Sequence, residues 1–186
     1  MRRNQGRRRS RHGTVLVALS LLCLLVLPRQ DFAEVQEQQL KVVYVYNFAK
    51  FITWPEGQFR DEQAPVVVGI YGENPYADSW DVIRGKQVGG RNIMVRKNID
   101  STEFSDIHIL FISRSEKRRL TLILQKLIGL PVLTVSDMDD FTERGGMIQL
   151  FQEGGKIRFK INTTAAKKAN LIISSKLLNL AREAKA

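Results

Sequence analysis

Two uninterrupted apolar runs constrain the fold of this chain more than anything else in it. Residues 65–71 (PVVVGIY) and 107–112 (IHILFI) show no alternation of apolar and polar side chains. A strand with one wet face alternates with a period of two, whereas a strand covered on both faces is apolar throughout, as in parallel sheets flanked by helices. A third run of the same kind, 131–135 (PVLTV), and a shorter one at 92–97 add two more strands. Between them lie helical stretches. Gly72, Glu73, Asn74 and Pro75 turn the chain into a short helix at about 76–84. Ser113 and Ser115 supply N-cap chemistry for a helix with Glu116 in its first turn, where the helix dipole favours an acid. That helix has Leu120, Ile123, Leu124, Leu127 and Ile128 on one side and stops at Gly129.

Upstream, residues 34–53 space Leu40, Val43, Tyr44, Phe48 and Phe51 as an amphipathic helix ended by Trp54 and Pro55, since a residue before proline is pushed out of the helical region. Downstream, residues 137–145 form a polar loop or a single helical turn. Two alternating strands, 146–152 and 156–162, then flank Glu153, Gly154 and Gly155, which read as the turn of a hairpin. Thr163 or Thr164 caps a short helix, and Ser174 or Ser175 caps the last one. The order predicts an α/β layered sandwich: a mainly parallel sheet, an antiparallel C-terminal hairpin at one edge, and helices on both faces. No internal repeat or second domain is visible.

The beginning of the chain has a different character. Six arginines and no acid occupy the first thirteen residues, and residues 14–27 carry no charge. A positive stretch followed by a short apolar one is the pattern of a Sec-type secretory signal. Fourteen residues reach about 21 Å as a helix, short of the roughly 30 Å hydrocarbon core. Residues 1–33 are therefore expected to be a signal segment, cleaved near Ala33 or retained as an N-terminal anchor, and residues 34–186 a single exported domain.

Removing that segment changes what composition implies. The net charge of +10 suggests nucleic acid, but residues 1–33 hold seven of the 29 basic residues and one of the 19 acidic ones. The rest is nearly balanced, and its densest basic cluster, Lys117, Arg118 and Arg119, sits on a helix face where solvation explains it. Nucleic acid is not expected as a partner. Cys23, the single cysteine, also lies in the leading segment, so the domain has no thiol or cysteine ligand to use. His108, its single histidine, lies inside a strand.

No motif for nucleotide phosphates, metal or nucleophilic catalysis appears, and no cofactor or metal is expected. Asp137, Asp139, Asp140 and Glu143 form the densest acidic group and are explained by a solvated loop. Binding is more plausible, because α/β sheets hold ligands beyond the carboxyl ends of their parallel strands. There Ser113, Arg114 and Ser136 are candidates for a small acidic ligand, with Arg158, Asn162 and Thr163 as a second group near the helix that follows Asn162.

Three segments together resemble the YfiR family of periplasmic proteins. They are 44–55 (YVYNFAKFITWP), 131–136 (PVLTVS) followed by Phe141 and 145–148 (GGMI), and 158–162 (RFKIN). The resemblance implies a periplasmic, homodimeric, non-enzymatic regulator. It implies repression of an inner-membrane diguanylate cyclase, hence control of cyclic-di-GMP and biofilm formation, with an outer-membrane lipoprotein as a second partner. The family's repressor carries disulfides, one pair falling at Gly69 and Ile107 here, where no bridge can form. Partner binding needs apolar or aromatic anchors. Tyr46, Phe141, Gly145, Gly146 and Met147 are the candidates, together with Val42 and Ile52, which lie off the main helical stripe. A small-ligand sensor and a hydrolase are the two alternative readings.

Overall fold

The computed structural model describes residues 29–74 and 76–185; most of the leading segment, including residues 14–27 and Cys23, lies outside them. A compact folded unit begins at Val35. At its centre three strands form the most deeply covered part of the molecule: β2 (Val66–Tyr71), β5 (Ile109–Ile112) and β6 (Leu133–Ser136). Every residue of β5 and β6 is buried, and so are the first five of β2. Their unbroken apolar sequence thus reflects cover on both faces.

β2 pairs in parallel with β4 (Arg91–Arg96) on one side and with β5 on the other. β5 pairs in parallel with β6, and β6 with β7 (Ile148–Glu153). β7 turns through Gly154 and Gly155 into the antiparallel β8 (Lys156–Asn162). Both glycines have positive φ, 58° and 72°, as a two-residue type I′ hairpin requires. The two edges of the eight-stranded sheet are β3 (Gln87–Val88), antiparallel to β4, and β10 (Glu183–Lys185), parallel to β8.

The chain passes from β2 to β4 and then back across β2 to β5, so its connections lie on opposite faces. One face carries helix α1 (Arg29–Ala49), with Val42, Val45 and Phe48, and the 3₁₀ segment Ala77–Ile83, with Trp80 and Ile83. The other carries the 3₁₀ segment Ser101–Asp106, with Phe104, and α2 (Leu120–Lys126), with Leu120 and Ile123. This is the predicted α/β sandwich with helices on both sides.

Several expectations need correction. Helix α1 ends at Ala49, not residue 53; β-branched Ile52 and Thr53 instead form β1, paired with Ile172 and Ile173 of β9. The buried stripe of α1 is Val42, Val45, Phe48 and Ala49, so Val42 is core, as is Ile52, while Leu40 is exposed. Residues 42–52 are apolar nearly all round, and periodicity alone could not choose the face. The cap of α3 (Thr163–Lys168) is Asn162, whose side chain accepts from Ala165 N–H; neither threonine serves. The last helix, α4 (Ser175–Leu180), is capped by Ser174 and stops at Leu180, because the chain leaves to pair as β10 along β8.

Gly69 sits where a side chain has no room. A Cβ placed on Gly69 would meet Ile99 Cδ1 at 2.6 Å and Ile107 Cδ1 at 3.0 Å. The two aliphatic side chains fill the space beside the Gly69 Cα.

Candidate functional site

The carboxyl ends of the parallel strands, where an α/β fold usually keeps its ligand, are occupied by the chain itself. Ser113 Oγ accepts from Ser115 N–H, and Ser115 Oγ accepts from Glu73 N–H at 3.0 Å. Gly72, at φ 88°, lies so close that a Cβ there would fall 2.7 Å from Ser115 Oγ and from Glu116 Cγ. The crevice between the ends of β2 and β5 is shut by these contacts. Ser136 Oγ donates to Ile112 O at 2.7 Å and accepts from Met138 N–H.

Next to it sits a polar knot that the sequence did not reveal. Asp137, expected in a solvated loop, is 5% exposed. Its Oδ2 accepts from Tyr76 Oη at 2.8 Å and from Lys41 Nζ at 3.0 Å. Arg114 donates to the Asp137 carbonyl at 2.6 Å and lies 3.2 Å from Oδ1 through Nε. Burial pushes the Asp137 carboxyl up, but Lys41, Tyr76 and Arg114 outweigh it and hold it below its usual range. The Tyr76 hydroxyl is driven well above its ordinary value, first by burial and then by the Asp137 charge. Its role is that of a donor, not of an acid. The knot ties α1 and the 77–83 segment to the end of β6. Ser136 and Ser113 are buried, at 0% and 2% exposed, and spend their hydroxyls on the backbone, while Arg114 is exposed and paired with Asp137.

The second group of ligand candidates is divided. Arg158 faces Glu153 on the hairpin, at 3.9 Å. Asn162 is committed at both ends of its amide, accepting from Ala165 N–H and donating to Thr142 O at 2.9 Å. Thr163 opens α3 beside it.

Among the partner candidates the structure separates core from surface. Phe141 is fully buried with Leu120, Ile123 and Met138, so it is not an exposed anchor. Gly146 lies against its ring, and any Cβ there would collide with Phe141. The buried Gln149 side chain, accepting from Phe141 N–H at 2.9 Å, folds this loop inward. Met147 is 7% exposed. Tyr46 is half-buried, donates to Gln87 O at 3.0 Å and carries Lys50 Nζ 4.2 Å from its ring centre.

Gly145 and Met147 nevertheless border an apolar groove of about 610 Å³ at the amino end of β6 and β7. Its walls are Leu124, Leu127 and Ile128 on one side and Ala165, Lys168 and Ala169 on the other. No carboxylate lines it, Lys168 is its one charged residue, and Ile128 at its lip is 81% exposed. Volume and lining are those of a binding cleft. Sequence placed Ile128 on the buried face of its helix; the helix ends at Lys126, two residues earlier, which releases Ile128 to the surface. Among the described residues no three His, Cys, Asp or Glu side chains converge as a metal site, and no helix is long and apolar enough to cross a membrane.

The fold is a doubly wound α/β domain with an apolar groove between α2 and α3. Residues 38–182 match the DUF4154 family, described as YfiR/HmsC-like, and the chain belongs to that family. A solved structure, a conserved domain protein from Vibrio cholerae O1 biovar El Tor strain N16961, is similar at 14% identity and a TM-score of 0.48. The match covers 64% of this chain and 55% of that one, so this chain spans about half the length of that relative.

Proposed function

We propose that this protein is a periplasmic, non-enzymatic regulator that binds the exported part of an inner-membrane diguanylate cyclase and represses it. Family membership across nearly the whole folded unit carries the reading. Such a regulator would act as a homodimer and be relieved by sequestration on an outer-membrane lipoprotein. The groove between α2 and α3 supplies the contact surface: an apolar segment of the cyclase's exported domain occupies it, with an acidic side chain on that segment meeting Lys168. Two features support that choice. Lys168 stands without a carboxylate in the lining, and Ile128 projects from the lip.

The test is capture of detergent-solubilised membranes on the purified domain, wild type against Ile128→Asp. The reading expects a membrane protein with a cytoplasmic cyclase domain to be retained by the wild type. The variant should melt normally yet retain at least about tenfold less, the loss expected when a charge is buried at a contact. Equal retention by both would remove the groove from the interface.

A further inference from the structure

Helix α2 and the turns that flank it present a face to solvent that carries no acid. Residues 117–136 hold four cations, no carboxylate and no aromatic side chain. Inward, Leu120, Ile123 and Leu127 pack against the sheet. Their spacing turns Arg118, Leu122 and Gln125, at i, i+4 and i+7, the other way, and all three are exposed. Leu122 is 61% exposed, and Ile128, which marks the boundary between this face and the groove, is 81% exposed. Scattered exposed aliphatics need no explanation, so the charge around these two decides what they mean.

Two of the four cations are spent within the fold. Arg119 closes on Glu116 through two hydrogen bonds of 2.9 Å, and Lys126 donates to Ser101 Oγ at 2.7 Å, near Asp100. Lys117 and Arg118 form no ion pair among the described residues. Neither does Arg144, whose guanidinium donates to the Lys117 carbonyl at 3.0 Å and so holds a third positive charge beside them. Asp139 and Asp140, exposed on the loop before Arg144, pair with none of the three. Protein-binding hot spots favour Trp and Tyr and under-use Leu, whereas interfacial helices combine Lys and Arg with Leu. Long cationic stems also let the charges reach phosphates while an aliphatic neighbour sits deeper. We infer that the outer face of α2 docks on an anionic bilayer surface, with Lys117, Arg118 and Arg144 against lipid phosphates and Leu122 entering the headgroup layer. The contact would hold the regulator on the membrane in which its proposed partner is embedded. That use rests on the function proposed above; the lipid contact itself does not.

The leading segment is itself basic and apolar, so total lipid binding by the full chain would not report on α2. The readout is therefore local: methyl signals of the purified full chain, followed as nanodiscs carrying a gadolinium-chelate lipid are added. With phosphatidylglycerol in the nanodiscs the Leu122 methyls should broaden, while those of Val82, 39% exposed on the opposite face of the sheet, stay sharp. Lys117→Glu combined with Arg118→Glu, both on exposed side chains, should leave the melting temperature unchanged. It should raise the lipid concentration needed for the Leu122 response at least about tenfold, as two charges at a charged surface require. Equal broadening of Val82 and Leu122 would overturn the proposal, because tethering by the leading segment alone would then suffice. So would the same Leu122 response with phosphatidylcholine alone, or an unchanged response in the double variant. Leu122 silent towards lipid but shifted by an acidic protein partner would assign the face to protein, and the proposal would fall. The lipid results are read with no cyclase present, so they stand or fail apart from the function proposed above.

Discussion

Acid should loosen this fold through His108 well before its carboxylates titrate. Burial lowers the imidazole from its ordinary 6.5 to about 4, with the positive charge of Arg91 acting in the same direction and a Gln58 backbone contact opposing it. The geometry gives the same answer, because a proton on Nδ1 would abolish the bond from Val67 N–H. The sign follows from linkage. Between about pH 6.5 and 4 the unfolded chain holds more protons on this residue than the folded one, so stability falls as pH drops through 6.5 and the loss levels off below 4. From pH 7 to 5 full linkage amounts to about 2 kcal/mol, and relaxation of the surroundings around the charged ring reduces it towards about 1 kcal/mol. Urea unfolding at pH 7, 6 and 5 measures it, with His108→Gln as the control, since a Gln amide oxygen can still accept from Val67. The variant should start less stable at pH 7 and lose roughly 1 kcal/mol less than the wild type on acidification. Equal losses in both proteins would refute the reasoning.

Other perturbations test the packing. Asp137→Ala leaves the Tyr76 hydroxyl without its acceptor and Lys41 with Glu37 alone, and should cost about 3 kcal/mol, while Tyr76→Phe, removing one donor, should cost about 1.5 kcal/mol; urea midpoints distinguish the two. Phe141→Ala should destabilise by roughly 3–5 kcal/mol as a core truncation, whereas Ile128→Asp should leave the thermal midpoint within a degree or two. Gly69→Ala should cost about 1–3 kcal/mol through overpacking against Ile99 and Ile107, and Gly69→Ala with Ile99→Val should recover part of it.

The contrast between what could and could not be read beforehand has a physical basis. The strands 65–71, 107–112 and 131–135 were legible because burial on both faces writes itself as an unbroken apolar run. The hairpin at Gly154 and Gly155 was legible because its turn demands positive φ twice. The face of α1 was not, since its rotation is decided by Lys41 reaching Asp137 across 96 residues of sequence. β1 pairing with β9 and β10 docking on β8 are equally long-range, and two- or three-residue strands carry no period to detect. The same limit hid which side chains of the 137–147 loop turn inward. Phe141 has the composition of an exposed anchor, and only the buried Gln149 amide reveals that its loop turns inward. Asp137 looks like one more solvated acid until its three partners are in place. His108 was placed in a strand run, but its burial under Phe59 and its bond from Val67 N–H needed the loop before β2 to be folded against that strand.

The proposed repression of a cyclase from outside the cytoplasm is read most directly by intracellular cyclic-di-GMP. Deleting the coding sequence should raise cyclic-di-GMP several-fold, and restoring the exported wild-type protein should bring it back, while exported Ile128→Asp should not. An unchanged nucleotide level after deletion would contradict the account.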